Sequence, residues 1–93
     1  IITKDEAHRI ERCLASVAFA DEIVVLDSGS ADGTSELARA HGARVVVDPA
    51  WPGFGPQKNR ALALCRGEWV LSIDADEVVG PELRAAIERA VRE

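Results

Sequence analysis

The stretch Trp69-Val70-Leu71-Ser72-Ile73-Asp74-Ala75-Asp76-Glu77 is an apolar run that ends abruptly in carboxylates. Val70, Leu71 and Ile73 read as a buried strand of the parallel type, since such strands are near-continuous in apolar residues. Asp74, Asp76 and Glu77 then stand where that strand leaves the sheet, at its carboxyl edge, and open α/β sheets bind ligands at that edge. The same pattern occurs earlier, where Ile23-Val24-Val25-Leu26 runs into Asp27-Ser28-Gly29-Ser30. Two strands that deliver Asp to one edge make a site as well as a fold.

The elements around these two stretches alternate. Ile1-Ile2-Thr3 reads as the end of a strand. Ile10, Leu14 and Val17 recur at i, i+4 and i+7 with Glu6, Arg9, Glu11 and Arg12 on other faces, which predicts a helix over about residues 5–18. A strand over 22–27 follows, then a helix containing Leu37, Ala38 and Ala40 that Gly42 ends, and a short strand Val45-Val46-Val47. Residues 49–56 read as an irregular loop rich in Pro, Gly and aromatics. A third helix holds Ala61 to Cys65 and stops at Gly67. After the strand at 70–73, Pro81 opens a helix with Leu83, Ala86, Ile87, Ala90 and Val91 on one face. This βαβαβαβα order implies an α/β fold with a parallel sheet and right-handed crossovers. A strand order 3-2-1-4 would bring Asp27 and Asp76 to one crevice.

Bulk properties narrow the function. Ninety-three residues, 47% of them hydrophobic, suit one small domain or one half of a larger one. A net charge of −5 argues against a surface that coats nucleic acid. No apolar run approaches the roughly 20 residues of a membrane span, and the opening has no signal-peptide pattern, so a cytosolic location is expected. Cys13 and Cys65 lack metal-spaced partners and read as small buried hydrophobes in a reducing compartment; His8 and His41 read as surface side chains. The first and last residues look like the tail of a strand and the end of a helix, which suggests a piece of a longer enzyme.

The candidate chemistry lies at the strand ends. Asp74 and Asp76, one residue apart in a loop, can share a hard divalent cation that also takes substrate phosphates; the bland alternative is a polar turn in which Asp bonds backbone amides. Asp27 can accept a hydrogen bond from a base imide or a ribose hydroxyl, or can anchor its own loop with Ser28 and Ser30. Gly53-Phe54-Gly55-Pro56-Gln57-Lys58-Asn59 has neither a Walker spacing nor a dinucleotide fingerprint. It presents Lys58 near a helix start, where a diphosphate could meet it, or where it is simply solvated. Trp51 and Phe54 either wall a pocket or cover the sheet edge. Ser30-Ala31-Asp32-Gly33-Thr34 reads as capping and turn chemistry.

Taken in order, Ile2-Thr3-Lys4-Asp5-Glu6, Val25-Leu26-Asp27-Ser28-Gly29-Ser30-Ala31-Asp32-Gly33-Thr34, the 51–59 loop and Asp74-Ala75-Asp76 resemble a family 2 glycosyltransferase of the GT-A fold. The 51–59 loop is similar to that of the lipopolysaccharide core β-1,4-glucosyltransferases that act on heptose. The resemblance covers essentially the whole chain. It implies a Rossmann-like nucleotide-sugar-binding half, residues 1–93, truncated at both ends. Thr3 and Glu6 would then lie near uridine, Asp27 at uracil or ribose, Lys58 near the nucleotide-sugar, and Asp74 near ribose or the donor sugar. Asp76, with Asp74, would hold Mn2+ or Mg2+. The implied reaction is inverting transfer from a nucleotide-diphosphate sugar to a glycan or lipid-linked acceptor, at the inner face of a membrane, with the catalytic base and acceptor site beyond residue 93. Asp5 departs from the resemblance, because this pattern usually has Asn there. The rivals are a haloacid-dehalogenase-like phosphohydrolase, which also ends a strand in Asp-x-Asp, and a non-catalytic nucleotide-binding or structural module.

Overall fold

A computed structural model describes residues 1–92; Glu93, expected to end the last helix, lies outside the described residues. Strand β1 (Ile2–Thr3) leads into α1 (Ala7–Ser16), β2 (Val24–Asp27), α2 (Thr34–Ala40), β3 (Arg44–Val47), α3 (Phe54–Leu64) and α4 (Pro81–Arg92). The three strands form one parallel sheet with β2 in the middle, Ile2 beside Leu26 and Val25 beside Val45. All four residues of β2 are buried, as a central strand covered on both faces must be.

Alternation along the strands decides which helix covers which face. Ile1, Val25 and Val45 share a face, and they pack with Ile10 and Leu14 of α1 and Ala38 of α2 in the main core. Ile10, Leu14 and Ala38 have no exposed surface, so the expected i, i+4 stripe of α1 is the one that docks. Ile10 and Leu14 each contribute about 1.5–3 kcal/mol through burial. On the opposite face, Arg44 of β3 donates from its guanidinium to the Leu64 carbonyl that ends α3. Helices α1 and α2 therefore sit on one side of the sheet, as right-handed crossovers require, and α3 packs on the other.

Three expectations need correction. The apolar run 70–73 forms no strand: it makes no ladder with β1, and the sheet has order β1-β2-β3 with nothing in the fourth position among the described residues. The reason is the partner. A two-residue strand spans only about 7 Å and offers one or two ladder groups on its free edge. Val70 and Leu71 consequently remain 44% exposed. An apolar groove of about 850 Å³ separates this segment and the Ile87 and Val91 side of α4 from Ile1, Val17 and Phe19. No residue of α4 is buried.

The second correction concerns the loop at 49–56, which is shorter than expected, because α3 begins at Phe54 and includes Pro56. Proline is tolerated there, since the first N–H groups of a helix have no intrahelical acceptor to lose. The first paired amide is Gln57 N–H, which donates to the Gly53 carbonyl at 3.0 Å. Third, Cys65 is only half-buried, because it caps the end of α3 in extended backbone. Cys13 is fully buried as expected, and both thiols are free. No helix among the described residues is long and apolar enough to cross a membrane.

Candidate nucleotide-sugar site

The three parallel strands end at one edge, so the loops after β1, β2 and β3 gather there. The loops after β1 and β2 are laced together by short polar side chains. Asp5 N–H donates to Ser30 Oγ at 2.8 Å, and Ala31 N–H donates to Asp5 Oδ1 at 2.8 Å. Glu6 N–H donates to Thr34 Oγ1 at 3.0 Å and Ala7 N–H to Asp32 Oδ2 at 3.1 Å. The start of α1 is thus capped from the β2–α2 loop instead of by its own side chain, because Glu6 makes no capping bond. Asp5 stands at φ 54°, in the left-handed region. Asn and Asp tolerate that conformation best among residues with a Cβ, which accounts for either residue at this position.

Asp32 makes this clasp sensitive to acid. The Thr34 hydroxyl, followed by the amides of Ala7 and Thr34, holds its carboxyl below the ordinary value of 3.8. A carboxyl whose folded pKa is depressed stabilises the fold above the unfolded value, and that stabilisation disappears as pH falls through the folded pKa. Amide exchange should therefore show protection of Ala7 and Thr34 falling below a pH of about 3.8, the ordinary Asp value. Asp32→Asn should abolish that pH dependence.

Beside the clasp lies a cavity of about 500 Å³. Thr3 and Glu6 line it from the β1 loop, with Ile2 and Lys4; Asp74, Ala75 and Asp76 line it from the acidic turn; Trp51 and Phe54 form its aromatic wall. The two rings meet edge to face, with centroids 5.1 Å apart. Both project into solvent, and Phe54 is 72% exposed. Two buried polar atoms in the cavity lining have no hydrogen-bond partner, Thr3 Oγ1 and Glu6 Oε2. Such orphans are costly in a native fold.

Charge in the cavity is paired but loosely. Lys58 Nζ lies 3.2 Å from Asp74 Oδ1, and the Arg9 guanidinium lies 3.8 Å from both Asp76 Oδ2 and Glu6 Oε2. Half-exposed pairs of this kind are worth about 0–1 kcal/mol and open readily to an incoming ligand. Among the described residues no group of three or more His, Cys, Asp or Glu side chains is arranged to hold a metal ion. The turn offers two hard oxygen donors, Asp74 and Asp76. That set fits Mg2+ or Mn2+, which commonly take one or two carboxylates and fill the other positions with water and phosphate oxygens.

Of the residues singled out in the sequence, the structure brings Thr3, Glu6, Asp74 and Asp76 to one cavity, and Lys58 reaches it through Asp74. Asp27 lies apart from the cavity lining. It has no exposed surface. Its carboxylate accepts from Gly29 N–H at 3.2 Å, Ser30 N–H at 2.9 Å, Ser35 Oγ at 3.0 Å and the Ser30 hydroxyl. A side chain so enclosed anchors its loop and cannot touch a ligand unless that loop moves. Sequence reasoning missed Arg9, read only as a solvent-facing helix residue. Its spacing of three from Glu6 was the available signal. His8 is exposed as expected, and His41 Nε2 lies 3.4 Å from Glu11.

The acidic turn is held from beneath by α1. Cys13 Sγ donates to the Asp74 carbonyl at 3.4 Å, and burial raises the thiol pKa, which keeps it protonated as a donor. Val79 N–H donates to Ser16 Oγ at 2.9 Å, and that hydroxyl donates to the Cys13 carbonyl at 2.7 Å. Within the turn, Asp74 N–H donates to Glu77 Oε1 at 2.8 Å and Glu77 N–H to the Asp74 carbonyl at 2.9 Å.

Comparison with known proteins gives the family of the chain. Residues 1–93 match the family model described as Glycosyl transferase family 2. An uncharacterised glycosyltransferase of Rickettsia bellii is 51% identical over 89 residues, 95% of this chain and 30% of that protein. The lipopolysaccharide core biosynthesis glycosyltransferase LpsC of Rhizobium meliloti is 37% identical over 89 residues, 90% of this chain and 33% of LpsC. Glucosyl-3-phosphoglycerate synthase of Mycobacterium tuberculosis superposes with a TM-score of 0.66 at 35% identity, over 84% of this chain and 33% of that one. Its complex with uridine diphosphate (UDP) gives 0.65 at 35% identity, over 83% and 32%. The chain spans about a third of the length of these relatives. With an α/β fold shared with a solved synthase of this kind and a family match along its whole length, the chain belongs to glycosyl transferase family 2.

Proposed function

We propose that this chain is the donor-binding part of an inverting, metal-dependent glycosyltransferase that takes a UDP-sugar and glycosylates a glycan or lipopolysaccharide-core acceptor. The observation that carries this reading is the cavity at the sheet edge. Thr3 and Glu6, which carry the two orphaned buried oxygens, line one space with Asp74, Asp76 and an aromatic wall. Thr3 and Glu6 supply an acceptor-rich recess suited to the imide and hydroxyl groups of uridine. The Trp51–Phe54 wall suits a base or sugar face. Lys58 and Arg9 supply positive charge within reach of a diphosphate that displaces them from Asp74 and Asp76.

Asp76 and Asp74 would hold the divalent cation, which when bound neutralises charge on the departing diphosphate. The UDP complex of the mycobacterial synthase supports the donor class, and the role of LpsC in lipopolysaccharide core biosynthesis supports the acceptor class. The acceptor site and the carboxylate base that takes the acceptor proton would lie outside residues 1–93, so the isolated chain should bind nucleotide weakly without turnover. A working position at the inner face of a membrane belongs to the same reading. Membership of family 2 displaces the phosphohydrolase alternative.

Calorimetric titration with UDP, with and without Mn2+, tests the proposal. Affinity should rise by at least about tenfold with the metal. Equal affinity in both conditions would sink it and would favour a non-catalytic module.

A further inference from the structure

Helix α1 carries Arg9, Cys13 and Ser16 at i, i+4 and i+7, so the three side chains form one stripe along the helix. Every one of them meets the segment from Asp74 to Val79. Arg9 lies 3.8 Å from Asp76 Oδ2, Cys13 Sγ donates to the Asp74 carbonyl at 3.4 Å, and Ser16 Oγ accepts from Val79 N–H at 2.9 Å. Ala75 is sunk into the core against the adjoining Ile10 and Leu14 stripe, and Val79 is buried too. Residues 70–73 make no ladder bonds, so the sheet does not fix the turn from its amino-terminal side.

We propose that this polar stripe of α1 sets the geometry of the acidic turn, with Cys13 and Ser16 as positioning residues that hold both ends of the turn while Asp76 faces the cavity. Ser16 has the larger share. Its hydroxyl links two backbones: it accepts from the Val79 amide and donates its own O–H to the Cys13 carbonyl, which ties the far end of the turn to the last turn of the helix. Cys13 fixes the near end at Asp74. A cation shared by Asp74 and Asp76 needs both carboxylates in register, so slack at either end of the turn weakens cation binding and leaves the uridine recess at Thr3 and Glu6 untouched. The inference rests on the donor-site reading above.

The test compares UDP affinity with and without Mn2+ in the full-length protein and its variants. Ser16→Ala should shrink the metal-dependent gain by about three- to tenfold, the equivalent of one hydrogen bond, while metal-free UDP affinity stays within about twofold. Ser16→Thr, which keeps the hydroxyl, should restore it. Exchange of the Val79 amide in the metal-free protein should quicken in Ser16→Ala and not in Ser16→Thr. Cys13→Ala should shrink the gain in the same direction, and it carries the comparison if Ser16→Ala does not fold. A wild-type metal gain in both alanine variants overturns the inference and leaves the donor-site reading standing. Equal loss of metal-free and metal-dependent binding also overturns it, since that marks a merely structural role. Absence of any metal gain in the unmutated protein removes the donor-site reading, and the inference with it.

Discussion

Asp27→Ala is expected to cost about 3–5 kcal/mol of folding stability, read as a lowered urea midpoint at unchanged slope in the full-length protein. The side chain has no exposed surface, and four donors converge on it from Gly29, Ser30 and Ser35. Hydrogen bonds to a charged acceptor are worth about 1.5–3 kcal/mol each, and deleting the acceptor leaves partly buried N–H and O–H groups with nothing to bond. Set against a total stability of about 5–15 kcal/mol for a domain, that loss is a large fraction. The damage spreads beyond β2, because Ser30 also receives the Asp5 amide and so connects Asp27 to the clasp over α1. Asp27→Asn should do less harm. It keeps the shape and one carbonyl oxygen, but its NH2 group then faces donors. A loss below about 1 kcal/mol accompanied by lost UDP affinity would instead make the carboxylate a ligand group.

The contrast between Asp27 and Asp76 shows what sequence reading reaches and where it stops. Both are Asp residues after an apolar run, and periodicity treats the two runs alike. Their fates are settled by neighbours distant in sequence. Ser35, eight residues on and across a helix start, closes over Asp27. Asp76 stays exposed, with the half-exposed Arg9 3.8 Å from it. The same limit governs the run at 70–73. Its apolar composition was legible, but whether a run becomes a strand depends on the ladder its neighbour offers, and β1 offers two residues. The α1 stripe and β2 were legible because a single strong period or a fully apolar core run leaves one arrangement open. The start of α3 was not, since Pro and Gly read as breakers unless their position in the first turn is known. The candidate site was legible through its motif order, with Thr3, Glu6, Asp74 and Asp76 meeting at one cavity. Arg9, Cys13 and Ser16 were hidden because each is unremarkable alone; only their common face toward the acidic turn gives them meaning.

Asp76→Asn is expected to have the opposite profile to Asp27→Ala. The carboxylate is about half exposed, and its ion pair with Arg9 is long at 3.8 Å, so folding stability should stay within about 0.5 kcal/mol. The metal-dependent part of UDP affinity should fall by at least about 10- to 100-fold, the range already seen when groups one shell further from a metal are removed. Metal-free affinity should hold or rise slightly, because one negative charge leaves the space a diphosphate enters. The substitution is sharp because Asn is as good a turn former as Asp. If residues 74–77 are only a polar turn, nothing changes in either condition. If Asp76 is a metal donor, an amide oxygen without charge replaces a carboxylate, and a hard cation is held less tightly when one of two charged oxygen ligands is lost. The two variants together separate the groups that build the sheet edge from the groups that work there. Asp27 should govern the urea midpoint and leave the metal response of the folded fraction intact, whereas Asp76 should govern the metal response and leave the midpoint intact.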